Sequence, residues 1–86
     1  MYYTYILQSK KDKRWYTGCT SDLRKRFSEH NKGAVVATKS RRPFTLLYYE
    51  ACIDQGDAFA REKYLKSGPG KYYLKNRLKR FLSLTG

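Results

Sequence analysis

At 86 residues the chain has the length of one domain, and a domain of this size buries only about 60% of its unfolded surface. That excludes a deep cavity or a large cofactor such as haem or a dinucleotide, so any chemistry belongs on an open surface. The 19 Lys and Arg against 7 Asp and Glu give a formal net charge of +12, which asks for a polyanionic partner, either nucleic acid or an anionic membrane surface.

Tyr2 to Leu7 reads Tyr-Tyr-Thr-Tyr-Ile-Leu, an aromatic and β-branched run that predicts a strand. Trp15 to Cys19 predicts a second, joined to the first as a hairpin across the polar stretch Ser9 to Arg14. Ser21 is placed to cap a helix with Asp22 at its first position, and Asn31 and Gly33 supply the stop. Lys32 to Pro43 is a basic loop, and Phe44 to Glu50 a third strand. Asp54 starts a second helix, which Ser67-Gly68-Pro69-Gly70 ends. A last helix from about Lys71 to Leu82 puts Leu74, Leu78, Phe81 and Leu82 on one face. The order β-β-α-β-α-α describes a single α+β domain over residues 1–86, with a small antiparallel three-stranded sheet flanked by helices.

Cys19 and Cys52 are the only cysteines and have no zinc-ligand spacing. The sequence shows no apolar run long enough to cross a bilayer and no signal-peptide pattern, so a reduced, cytoplasmic setting is expected.

Three features stand out from this pattern. At 100° per residue, Arg26 and His30 fall on the same side of the first helix as Leu23 and Phe27, while Arg24, Lys25, Ser28 and Glu29 point away. An inward guanidinium either runs along the core edge to a carboxylate or offers its fork to an anion. Glu62 lies among Ala58, Phe59 and Leu65 on the inner face of the second helix, where an ionised acid needs Arg26 or a metal as partner. Tyrosine is the third: the chain has nine, with Tyr3 and Tyr5 on one face of the first strand and Tyr16 and Gly18 on one face of the next. A strand glycine suggests a close approach, and phenols near an inward Arg and Glu would form a polar cluster suited to a phosphate and its water.

The residues Tyr3-Thr4-Tyr5, Tyr16-Thr17-Gly18 and Asp22-Leu23-Arg24-Lys25-Arg26-Phe27-Ser28-Glu29-His30-Asn31 resemble a GIY-YIG nuclease domain. The similarity continues through Thr38-Lys39, Arg41-Arg42-Pro43, Leu46 to Glu50 and Ala58 to Lys66, nearly the whole chain in order. It is similar to compact stand-alone members related to the nuclease domain of excision-repair subunits and to intron homing endonucleases. Tyr3 and Thr4 stand where the first motif has Gly and Ile, and Thr17 where the second has Ile.

The resemblance implies a metal-dependent endonuclease that hydrolyses DNA phosphodiester bonds with little sequence specificity, in DNA repair or recombination. Its catalytic residues would be Tyr5, Tyr16, Arg26, His30 and Glu62, with Glu62 the single protein ligand to Mg²⁺ or Mn²⁺. Arg26 would hold the scissile phosphate, and a tyrosine, alone or with His30, would take a proton from the attacking water. Lys39, Arg41 and Arg42 in the loop, with Lys71, Lys75 and Arg77 on the last helix, would grip flanking phosphates. These contacts carry no sequence information, so DNA structure or a protein partner would supply targeting. Asn76 is the one nearby candidate for the asparagine the family often carries after the glutamate, although it lies opposite the Leu74 and Leu78 stripe.

Two other classes use the same charge. A non-catalytic nucleic-acid-binding module would stack tyrosines on bases but needs no inward acid. A peripheral membrane domain needs a long amphipathic helix, which the sequence lacks.

Overall fold

The computed structural model describes residues 1–85. Strands β1 (Tyr2–Ser9), β2 (Trp15–Thr20) and β3 (Phe44–Cys52) form one antiparallel sheet in the order β2-β1-β3. Helix α1 (Leu23–Lys32) separates β2 from the loop, and α2 (Gln55–Lys66), α3 (Gly68–Arg77) and α4 (Lys79–Thr85) follow β3. This is the expected α+β order, with the last helical segment in two pieces.

The β1–β2 turn is built on Ser9, whose hydroxyl accepts from the Lys11 and Asp12 amides at 3.1 and 3.2 Å. Alternation then sorts β1 between two cores. Tyr5 and Leu7 pack with Phe44, Tyr16, Leu23, Phe27 and Leu46 beneath α1. Ile6 packs with Leu65, Leu74, Trp15, Leu47, Tyr48 and Tyr73 beneath α2 and α3. A bulge lies opposite the Ile6–Leu7 step: Ile6 pairs with Tyr48 and Leu7 with Leu46, leaving Leu47 as the extra residue. Leu47 and Tyr48 thereby both reach the second core, and Leu46 the first.

The helix ends differ from the sequence reading in three places. Asp22 rather than Ser21 caps α1: its backbone is extended and its carboxylate accepts from the Lys25 amide at 3.1 Å. The Thr20 hydroxyl accepts the Asp22 N–H, which turns the chain one residue later than expected. Gly33 closes α1 in the left-handed region at φ 81°, as anticipated. Helix α3 starts at Gly68, inside the stretch read as a break, because Ser67 caps it and Pro69 fits its first turn. Gly70 then permits close packing: a Cβ there would collide with the Tyr64 carbonyl oxygen and stand 2.6 Å from the Leu65 Cα. The interruption between α3 and α4 falls at Leu78, where the sequence has neither Gly nor Pro.

Phe59 corrects the helical wheel of α2. Ala58 and Leu65 are buried, but Phe59 is 51% exposed. An ion pair anchors this helix to β3, with Arg61 donating to both Glu50 carboxylate oxygens at 2.9–3.2 Å. The guanidinium lies 5.1 Å from the Tyr64 ring centroid and 4.8 Å from that of Tyr73.

Candidate active site

Tyr5 projects from the middle of the central strand and is 1% exposed. Gly18 is its register partner on β2. The phenol lies over that glycine so closely that a Cβ would stand 2.5 Å from its Cζ. The strand glycine thus marks the approach of a side chain from the neighbouring strand.

The Tyr5 hydroxyl meets Nε2 of His30 at 2.8 Å. His30 comes from the last turn of α1 and is fully buried, with Nδ1 2.7 Å from the hydroxyl of Thr38. The Tyr16 ring lies 5.0 Å from the imidazole and 6.5 Å from the Tyr5 ring. One turn before His30, Arg26 donates through Nη1 to Oε1 of Glu29 at 3.2 Å, and its guanidinium lies near enough to the Tyr5 hydroxyl for each to shift the other's pKa. Glu29 therefore does not point away. It is half-buried and supplies the carboxylate partner of Arg26.

Glu62 belongs to α2, on the other face of the sheet, and its charge acts on both the Tyr5 phenol and the Cys19 thiol. Its side chain is only 19% exposed and pairs with Lys66 one turn on, Oε2 to Nζ at 2.8 Å. Among the described residues Arg26 and Glu62 form no ion pair; each takes its oppositely charged partner from its own helix, Glu29 for Arg26 and Lys66 for Glu62.

Burial dominates the local electrostatics. It pushes the Tyr5 phenol up to about 12; the Arg26 hydrogen bond and charge oppose this, while Tyr16 and Glu62 add to it. Tyr5 is thus a neutral phenol at physiological pH, and a nearby arginine alone does not make it a phenolate. Burial and then Arg26 push His30 below its ordinary value, with Glu29 opposing, so the imidazole is neutral, with one ring nitrogen a donor and the other an acceptor. Burial opposes the charge on Arg26, but hydrogen bonds to Tyr5 and Glu29 outweigh it and raise its pKa.

Arg26 and Glu29 open on a polar hollow of about 290 Å³ lined also by Cys19, Thr20, Asp22 and Lys25. On the other side of β2, Tyr16 forms part of a groove of about 450 Å³ with Arg14, Trp15, Lys66, Lys71 and Lys75. Two of the expected phosphate-gripping residues, Lys71 and Lys75, are therefore close to Tyr16. Arg77 and Asn76 face a different hollow, with Tyr64, Pro69, Tyr72 and Tyr73, so Asn76 does not join the cluster.

In the loop, Lys39 and Arg42 are exposed. Arg41 is tied to Asp12 at 3.3 Å and lies over the Phe44 ring, 5.9 Å from its centroid. Sequence reasoning gave Thr38, Glu29, Arg14 and Lys66 no role. Thr38 sits in a polar loop with no periodicity, so nothing local announces that it is completely buried.

The family model described as the GIY-YIG catalytic domain matches residues 1–79. A UPF0213 protein of Desulfotalea psychrophila is 42% identical over 67 residues, covering 76% of this chain and 60% of that protein. The chain thus spans less than two thirds of that relative. A UPF0213 protein of Clostridium perfringens is also 42% identical over 67 residues, covering 77% of this chain and 71% of its own length. The solution NMR structure of the UPF0213 protein BH0048 of Bacillus halodurans superposes with a TM-score of 0.55 at 35% identity, covering 88% of this chain and 84% of that one. No helix among the described residues is long and apolar enough to cross a membrane. The chain belongs to the GIY-YIG catalytic domain family, a family of nucleases.

Proposed function

We propose that the chain is a metal-dependent endonuclease that hydrolyses DNA phosphodiester bonds at the cluster of Tyr5, Tyr16, Arg26, His30 and Glu62. The observation that carries this reading is the Tyr5 hydroxyl, hydrogen-bonded to a neutral His30 and within the fields of a charged Arg26 and of Glu62. A stacking module has no use for that hydroxyl or for the acid.

Arg26 binds the scissile phosphate from the polar hollow, and its charge offsets the negative charge that builds as the pentacovalent state forms. Glu29 fixes the guanidinium for that purpose. Tyr5 and Tyr16 orient the attacking water, and His30 provides the basic nitrogen behind Tyr5. Lys71, Lys75 and the exposed Lys39 and Arg42 attract the flanking backbone, with Arg41 and Arg77 adding to the field. DNA structure or a targeting partner selects the substrate, in a setting of DNA repair or recombination.

Glu62 would hold the Mg²⁺ or Mn²⁺ ion. A single carboxylate with one oxygen outside the Lys66 pair suits a hard cation that keeps most of its waters. Among the described residues no group of three or more His, Cys, Asp or Glu offers a fuller cage. Such an ion supplies charge stabilisation at the phosphoryl and leaving oxygens.

The test is incubation with duplex, flap, junction and single-stranded DNA, with Mg²⁺ or Mn²⁺ and with chelator. Cleavage in metal that stops in chelator supports the reading; binding without cleavage of any substrate leaves a nucleic-acid-binding module.

A further inference from the structure

His30 is the only histidine in the chain, and each of its ring nitrogens has one partner, Tyr5 at Nε2 and Thr38 at Nδ1. A neutral imidazole carries one N–H, so the two contacts have opposite senses. If Thr38 donates to Nδ1, then Nε2–H donates to Tyr5. The buried Tyr5 O–H is then left with no acceptor among the described residues, which is the costly arrangement.

In the other sense every proton has an acceptor. The Tyr5 O–H donates to Nε2, Nδ1–H donates to the Thr38 hydroxyl oxygen, and the Thr38 O–H donates to the Val35 carbonyl oxygen at 3.5 Å. The nearby Arg26, which can only donate, offers the Tyr5 O–H no acceptor in either sense. Thr38 is itself held from both sides: its amide donates to Val35 at 3.1 Å, and its carbonyl accepts from the Arg41 amide at 2.9 Å.

We infer that Thr38 is a positioning residue: it holds His30 as the Nδ1–H tautomer, with the Nε2 lone pair on the Tyr5 hydroxyl. The tautomer stands on hydrogen-bond accounting alone; its consequence rests on the hydrolase reading above. Tyr5 takes a proton from the attacking water while its own proton passes to Nε2, and the imidazolium keeps Nδ1–H on Thr38. The hydroxide forms the new P–O bond as the old one breaks, the leaving oxygen takes a proton from solvent, and His30 returns its proton through Tyr5. No oxidant or reductant is needed. Thr38 touches no substrate in this scheme and acts only through His30.

The experiment is long-range ¹H–¹⁵N NMR of His30 in the full chain at about pH 8, where a histidine is neutral, with single-turnover cleavage and DNA affinity measured on the same samples. The wild type is expected to show a protonated Nδ1 and a bare Nε2. Thr38→Ser, which keeps the hydroxyl, should preserve both the tautomer and the rate. Thr38→Val should shift the ring towards Nε2–H and slow cleavage by about a hundredfold at unchanged DNA affinity. A wild-type Nε2–H ring, or a Thr38→Val protein with the original tautomer and rate, overturns the inference. A shifted tautomer with an undiminished rate overturns the proton path. If even the wild type cleaves nothing, the hydrolase reading fails while the spectrum still decides the tautomer. Should Thr38→Val unfold, the wild-type and Thr38→Ser spectra carry the same decision.

Discussion

Gly18 and Tyr5 are register partners, and the phenol occupies the space that any side chain at position 18 would need. Gly18→Ala must therefore move the ring off its contact with His30. We expect a loss of about 1–3 kcal/mol of stability, as for other overpacked sites. Cleavage should fall further than stability explains, by about the same factor as in Tyr5→Phe. Thermal melts with single-turnover rates check this; a Gly18→Ala protein with wild-type turnover would show that the ring position is not critical.

The buried His30 makes stability depend on pH. Its folded pKa lies below the unfolded value of 6.5, so the unfolded chain binds the proton more readily. The stabilisation is complete above about pH 6.5 and is lost as pH falls from there towards the folded value. Melting temperatures taken from about pH 7.5 down to about pH 5.5 should fall, and His30→Gln should flatten the slope. Equal slopes for the two proteins would assign the effect to other groups.

Arg26 and Lys25 are neighbours in sequence but differ in partners. Arg26 is paired with Glu29 and acts on the Tyr5 phenol, whereas Lys25 is exposed at the rim of the same hollow. Arg26→Ala should lower single-turnover cleavage by a factor on the order of 10² to 10³, as loss of a transition-state charge partner does. Lys25→Ala should change mainly affinity and its salt slope. Identical kinetics for both variants would reduce Arg26 to part of the general basic surface.

Lys66 holds one oxygen of Glu62 at 2.8 Å and so competes with a cation for the carboxylate. Glu62→Gln should keep the fold and DNA binding but lose cleavage. Lys66→Ala should lower the Mn²⁺ concentration needed for half-maximal rate. A Glu62→Gln enzyme that turns over normally would remove the acid from the mechanism.

With a net charge of +12, DNA binding should be mostly electrostatic. If it neutralises six or more phosphates, affinity should drop on the order of 10³-fold between about 50 and about 200 mM salt. A flat titration would contradict a phosphate-gripping surface.

The strand pattern of β1, the glycine of β2 and the inward side of α1 were all legible, because period and composition report directly on faces. So were the types of residue in the cluster. What stayed hidden was pairing. Glu29 looked solvent-facing on a wheel because a wheel does not show that it pairs with the arginine three residues before it. Phe59 looked internal because apolar character was taken for burial, while its neighbour Ala58 provides the contact with Thr4. Thr38 was invisible for a different reason: its burial is created by the loop closing over His30, a tertiary event with no local signature.

The central strand puts one residue, Tyr5, into the cluster and the next, Ile6, into the opposite core, with both ladders of β1 closed around them. The Tyr5 hydroxyl thus stands on the one strand of the sheet paired on both sides. The Tyr5 amide lies in the middle of this central strand, so its hydrogen exchange should report opening of the sheet. Helix α4 touches chiefly α3 and should exchange by local fraying. Conditions that soften the cluster around Tyr5 should therefore soften the central strand with it.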